Sequence, residues 1–255
     1  MSRFSTISTF RINRKTRDAP DVSQWNPFQL DIPDSSLVSL SSIINNSLLF
    51  NRVDPKFRFQ LNSFQTNNRL VLTTGFENRK TDRISLNTFW NVVNQFDVEF
   101  LIEKGERSYN SEFFDQRDYE IDFLSLSPSL TYRFSKNFRT QISYEFLNSK
   151  NNLLGGNGET AINHDISFEA KYRRTAKTTF SLNASFVEVA FDGDANTPVA
   201  FALLEGLQNG KNYLWNFVLE RRLVQNIDLR ISYEGRKTGE ARTVHVGRAQ
   251  VRDTF

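Results

Sequence analysis

The amino-acid sequence predicts an all-β chain: an antiparallel, up-and-down transmembrane β-barrel of about 12 strands, with short periplasmic turns at one end and long extracellular loops at the other. Three observations predict it. Apolar and polar residues alternate with period two in segment after segment, the connections alternate between short and long, and no segment sustains a helical period.

Taken in order, the predicted strands lie near 4–14, 44–52, 57–68, 82–92, 96–105, 118–134, 138–148, 163–174, 178–191, 211–222, 227–236 and 243–255. The pattern is sharpest where Phe96, Val98, Phe100 and Ile102 interleave with Asp97, Glu99, Leu101 and Glu103. It recurs where Phe138, Thr140, Ile142, Tyr144 and Phe146 interleave with Arg139, Gln141, Ser143 and Glu145. Ile166, Phe168, Ala170 and Tyr172 repeat it, as do Tyr213, Trp215, Phe217 and Leu219, and then Ile227, Leu229, Ile231 and Tyr233. Short connections fall near 53–55, 93–95, 135–137, 175–177 and 224–226, and long polar ones near 15–42, 69–81, 105–117, 149–162, 192–210 and 236–242. The one helical candidate, Pro198 to Leu207, is about two turns inside a loop. Residues 1–43 read as an N-terminal strand and a long loop, and residues 44–255 as the barrel proper.

A meander with one apolar face either turns that face inward, as a soluble barrel or sandwich does, or outward to lipid. Strands of about 10–14 residues are long for a soluble domain and suit a tilted bilayer crossing. Aromatics gather near strand ends (Tyr119, Tyr132, Phe134, Phe138, Tyr172, Phe191, Tyr213, Trp215 and Tyr233), as girdles at two interfaces would. The polar face is heavily charged, which suits a lumen lined by pairable ions. The outward arrangement therefore places Phe96, Phe100, Ile142, Phe168, Phe217 and Ile231 against lipid. The charges expected in the lumen include Glu99, Arg139, Glu145, Glu169, Lys171, Asp228, Arg230, Glu234 and Arg248. Their mixed signs predict a lumen cross-linked by ion pairs, narrow or plugged, because a selective pore usually shows one dominant sign.

Composition excludes other classes. The chain has 255 residues, 24 phenylalanines and no cysteine, so disulfide frameworks and thiolate chemistry are ruled out. Its 32 Lys and Arg nearly balance 29 Asp and Glu, so no nucleic-acid partner is expected. The longest apolar run, Val199 to Leu204, is far short of a membrane helix, and residues 1–10 hold no apolar stretch of the secretory kind.

The end of the chain, Gly247 to Phe255, alternates and finishes on phenylalanine. It resembles the C-terminal assembly signal of bacterial outer-membrane barrels, with Ala249, Val251 and Phe255 in the apolar positions and Asp253 departing from the pattern. That resemblance implies the barrel-assembly machinery as a partner, and a final strand that closes against the first. Asn163-His164-Asp165, Leu203 to Leu207, Tyr233 to Lys237 and Val244 to Arg252 resemble the C-terminal barrel region of large outer-membrane proteins of Bacteroidota, from about residue 40 onward. This second resemblance implies residence in the cell outer membrane, with lipid and other outer-membrane or secretion-system subunits as partners. It also implies a preceding signal peptide and further domains, and a role as membrane anchor or as transport or secretion component.

Chemistry-bearing residues are sparse, and neither an enzyme nor a cofactor is expected. A phospholipase-like hydrolase is the competing reading, and a soluble ligand-binding barrel is another. The hydrolase needs Ser, His and an orienting acid or amide on adjacent strands, and only His164 and His245 are available, with Ser143 or Ser167 as nucleophile. Asp192-Gly-Asp-Ala-Asn196 resembles the start of a calcium loop but lacks the second half, and Gly155-Gly-Asn-Gly158 precedes no helix. Both read as loop tips.

Overall fold

The computed structural model describes residues 3–17, 26, 36–73, 75–174, 177–224 and 227–253. Twelve strands form one sheet in sequence order, every neighbouring pair antiparallel. They are β1 (Phe4–Thr16), β2 (Leu37–Phe50), β3 (Phe57–Leu72), β4 (Gly75–Val93), β5 (Phe96–Ser111), β6 (Tyr119–Ser135), β7 (Phe138–Asn151), β8 (Thr160–Arg174), β9 (Thr178–Asp192), β10 (Gly210–Val224), β11 (Ile227–Thr238) and β12 (Val244–Asp253). One helix, α1 (Pro198–Leu204), sits in the β9–β10 connection, within the span where the sequence predicts a helix. Among the described residues no helix is long and apolar enough to cross a membrane, so the crossings are made by strands.

The register fixes which side chains share a face, because residues directly opposite in an antiparallel pair point the same way. Ile102 of β5 stands opposite Leu126 of β6, Leu126 opposite Phe146 of β7, and Phe146 opposite His164 of β8. Continued across the sheet, this row and those below it put Phe96, Phe100, Ile142, Phe168, Phe217 and Ile231 on one face. That face is the outer one. Ile84, Trp90, Ile142, Ile166 and Phe168 are exposed on it although large and apolar, a distribution no water-facing surface of this size sustains. Lipid is the solvent that fits, and the strands form a membrane-crossing wall.

Aromatic rings mark the tight-turn edge of the apolar band. Phe96 stacks on Tyr132 at 4.5 Å, and contacts then run from Tyr132 to Phe134, Phe138 and Tyr172. Phe4, Phe50 and Phe59 extend the belt on the other side. Near the loop edge stand Tyr144, Phe146, Phe186, Tyr213, Trp215 and Tyr233. On β8 the belts are marked by Tyr172 and His164, eight positions apart. At about 3.3 Å per residue and about 40° of tilt, that spacing is roughly 20 Å of depth, near the height of a bilayer's apolar layer. Two aromatics assigned to girdles by sequence fall elsewhere. Tyr119 and Phe191 have inner-face parity; Tyr119 stacks on Tyr109 at 5.9 Å and Phe191 packs against α1.

The tight turns among the described residues lie where the sequence predicts them. Asn51 (φ 54°) opens the β2–β3 turn, and Asp54 accepts a hydrogen bond from the Lys56 amide at 2.7 Å. Ser135 accepts from the amides of Asn137 and Phe138 to close the β6–β7 turn. The opposite end corrects the loop assignments. Positions 69–81, read as a long loop, are mostly strand, because β3 runs to Leu72 and β4 starts at Gly75 (φ 92°). Likewise β5 continues to Ser111, leaving 112–118 as the connection. Polarity marks where a strand leaves the membrane, whereas the ladder ends only where turn geometry ends it. The predicted division at 43/44 falls inside β2, and β1 pairs along β2 in the same sheet.

Candidate functional site: the inner face and the inward-folded loop

The inner face carries the chain's polar chemistry. By parity it holds Glu99 of β5, Arg139 and Glu145 of β7, Glu169 and Lys171 of β8, Asp228, Arg230 and Glu234 of β11, and Arg248 of β12. Arg139 meets Glu169 at 3.1 Å, Arg230 meets Glu220 at 3.1 Å, and Arg248 meets Glu234 at 3.3 Å. Arg222 pairs with Asp228, Arg133 with Asp97, and Arg83 with Glu103. Glu99 accepts from the Asn87 amide at 2.9 Å, and Glu145 from the Ser125 hydroxyl at 2.9 Å. Most of these ions remain open to water, Arg248 being 71% exposed, so each pair adds only about 0–1 kcal/mol. Their chief effect is to set neighbouring charges against one another along the wall.

The apolar run that looked isolated in sequence closes the loop end of this face. Thr197 caps α1 by accepting from the Ala200 amide at 3.0 Å, Pro198 fills the first turn, and Glu205 ends the helix at φ 51°. Val199 and Leu203 pack on Ile121 and Ala161, while Ala200 and Leu204 pack on Val187 and Val189. Leu203 is fully buried and Phe201, one turn face away, is 74% exposed. Arg107 of β5 reaches Glu205 at 2.8 Å and ties the helix terminus to the wall.

Buried polar side chains brace the connections at this end of the sheet. Asn212, fully buried, donates to the Gln208 and Gly210 carbonyls and accepts from the Gln208 amide. Asn151 donates to Glu159 at 2.8 Å and accepts from the Glu120 amide. Asp118, beside the 3-10 turn at Asp115–Arg117, accepts from the Ser111 amide and the Asn110 side chain. Burial nevertheless raises the Asp118 carboxyl above its ordinary value of 3.8. A cavity of about 440 Å³ opens on the inner face from β9 to β12, lined by Asn183, Ser185, Leu214, Asn216, Glu234 and Arg236 among others.

The residues nominated for a hydrolase are not brought together. Ser143 and Ser167 face inward, where Ser167 donates to Asp165 at 2.7 Å and contacts Ser185. His164 faces outward, and its Nδ1 shares a hydrogen bond with the Tyr144 hydroxyl at 2.7 Å. His245 repeats the arrangement with Tyr233 at 2.8 Å, beside Trp215. Both histidines thus sit in the loop-side aromatic belt, where a ring with a polar edge suits the interface.

Asp192 to Asn196 forms the approach to α1: Asp194 accepts from the Asn196 amide and from the Thr197 hydroxyl. Among the described residues, no group of three His, Asp or Glu side chains is placed to hold a metal. Ala249 and Val251 have outer-face parity opposite Ile231 and Leu229, whereas Phe255 lies outside the described residues. Sequence reading missed the helix's role; the signal was there in Val199 to Leu204, an apolar run inside a loop that had to bury itself somewhere.

No protein-family model and no curated protein matches the chain. Solved structures do. The siderophore receptor PirA from Pseudomonas aeruginosa matches with a TM-score of 0.63 at 11% identity, over 99% of this chain and 42% of that one. PirA from Acinetobacter baumannii gives 0.63 at 9%, over 100% and 41%. The ferric-catecholate import receptor Fiu from E. coli K12 gives 0.56 at 9%, over 85% and 50%. The chain thus spans about two-fifths of the length of the PirA receptors it matches, and at these identities the likeness is one of fold. With a lipid-facing apolar band, two aromatic belts and a charged inner face, this chain has the fold of an outer-membrane β-barrel.

Proposed function

We propose that the chain is the C-terminal barrel wall of a larger outer-membrane protein of the Bacteroidota type, acting without enzymatic activity as a transport or secretion component. One observation carries the reading. A loop of the wall folds inward and buries its helix on the inner face, beside a polar, ion-paired surface. A membrane anchor has no use for a helix folded onto a polar inner face, whereas a passage is regulated by such an element. Siderophore and ferric-catecholate import belong to the compared receptors; only the class, passage across the outer membrane, is taken from them.

The test is a pair of substitutions on α1. Leu203→Asp buries a carboxylate against Ile121 and Ala161, a cost of several kcal/mol that a two-turn helix cannot hold. Phe201→Asp changes an exposed position on the same helix. Cells carrying Leu203→Asp are expected to admit a bulky antibiotic that the unaltered protein excludes, and cells carrying Phe201→Asp to stay resistant. Equal resistance in both, with normal amounts of protein in the membrane, would contradict a gated passage.

A further inference from the structure

The inner face sorts its charges by end. At the tight-turn end, Arg133 of β6 stands directly opposite Arg139 of β7, and Arg139 opposite Lys171 of β8. Like charges in direct opposition destabilise a sheet. Carboxylates relieve this row only in part: Asp97 pairs with Arg133 and Glu169 with Arg139, while Lys171 is left without one. Among the described residues no carboxylate forms an ion pair with Lys171, Arg173, Lys177 or Arg252. Toward the loop end the imbalance has the opposite sign. Glu145 stands directly opposite Asp165, and each accepts from a neutral hydroxyl, that of Ser125 and of Ser167.

The cationic excess gathers around a second cavity. It has a volume of about 350 Å³ and lies at the tight-turn end of the face, from β9 to β12. In the register Asp228 stands between Arg222 and Arg252, and its carboxylate accepts from the Arg222 Nε at 3.1 Å. Glu220 is likewise held by Arg230 at 3.1 Å. Lys177, just before β9, and Arg252 also line the cavity; both are exposed and their charges are not offset. Parity turns Arg222, Arg230 and Arg252 away from lipid, so membrane headgroups are not what they meet. A small concavity lined by guanidinium forks and an ammonium suits solutes that present several anionic oxygens.

We infer that this cavity binds small solutes bearing two or more carboxylate or phosphate groups, with Lys177 and Arg252 as the cations that hold them. Resting further on the reading of the chain as a passage, the class of solute that passes is anionic. Neighbouring strands lie about 4.8 Å apart, so cations on different strands meet separate anionic groups rather than a single one. The mixed signs of the face as a whole conceal this, because they cancel only when both ends are taken together.

The test is calorimetric titration of the full chain in a nonionic detergent with citrate and with pyrophosphate; acetate and inorganic phosphate are the single-group comparisons. Saturable binding of citrate or pyrophosphate, about tenfold or more tighter than that of its single-group counterpart, is expected. Lys177→Gln combined with Arg252→Gln should weaken it about tenfold or more, and raised salt should weaken it too. Lys177→Arg, which keeps the charge, should bind within about threefold of the unaltered chain. Lys104→Gln removes a charge from the outer face, opposite Leu124, and should change nothing. Both site residues are exposed, so the variants are expected to fold, which circular dichroism checks. An equal loss in Lys104→Gln, or equal affinity for the single-group and multiple-group anions, would show diffuse charge attraction and overturn the inference. Bound citrate together with unchanged antibiotic resistance in Leu203→Asp cells would uphold the site and sink the passage reading, so the two failures are distinguishable.

Discussion

Placing arginine at Phe168 should do far more harm than placing it one residue earlier. Phe168 stands on the outer face of β8 between Ile142 and Ala184, midway between the belts marked by Tyr172 and His164. Losing the ring forfeits about 1.5–3 kcal/mol of burial. Putting a guanidinium at mid-depth in its place costs about 2–4 kcal/mol more. The sum, roughly 4–7 kcal/mol, is a large share of the 5–15 kcal/mol that typically holds a domain together. Ser167 faces the other way, toward Asp165 and Ser185. Its replacement by arginine loses about 1 kcal/mol per hydrogen bond and sets the new cation beside a carboxylate. Urea unfolding in lipid vesicles, read by tryptophan fluorescence and by the protease-protected fraction, should show Phe168→Arg failing to insert. Ser167→Arg should shift the midpoint slightly. Equal losses at both positions would refute the assignment of faces.

Other consequences are as concrete. A Cβ at Gly235 would meet the Trp215 ring at 2.3 Å, so Gly235→Val should push the indole off the Tyr233–His245 pair, costing about 1–3 kcal/mol and shifting the tryptophan emission. The raised pKa of Asp118 means that the folded state holds this proton more tightly than the unfolded one. Its contribution therefore favours the fold at low pH and declines as pH rises from about 3.8 through the raised value; Asp118→Asn should flatten that decline in loop proteolysis or unfolding midpoints. Deleting Phe255 removes about 2–3 kcal/mol of burial at most, so detergent refolding should change little while delivery to the outer membrane drops sharply. Normal delivery would show that the terminal residue carries no assembly signal.

What the sequence reveals here is set by which environment each residue reports on. Alternation reports on the two faces of a strand, so the twelve strands, their tight turns and the outward direction of Phe96, Ile142 or Phe168 could all be read from it. Polarity reports on contact with water, so it misplaced strand ends at 69–81, where polar residues stay hydrogen-bonded in a ladder above the lipid. Parity near a strand end is easily misjudged, and Tyr119 and Phe191 were read as lipid-facing although they pack inside. That the charges share one face follows from alternation, but their partners do not. A diagonal pair such as Arg139 with Glu169 depends on register between strands, which no local pattern contains. The seat of α1 on Ile121, Ala161 and Val187 joins residues far apart in the chain and was equally out of reach.

The most direct test of the account is a nitroxide scan along β8 from His164 to Tyr172, one labelled cysteine at a time in lipid vesicles. Collision rates with dissolved oxygen, which concentrates in lipid, and with a water-soluble nickel chelate are measured at each position. The account predicts strict alternation: even positions, Phe168 above all, favour oxygen, and odd positions such as Ser167 and Glu169 favour the chelate. A profile without alternation, or with oxygen favoured at the odd positions, would contradict a wall whose apolar face is turned outward to lipid.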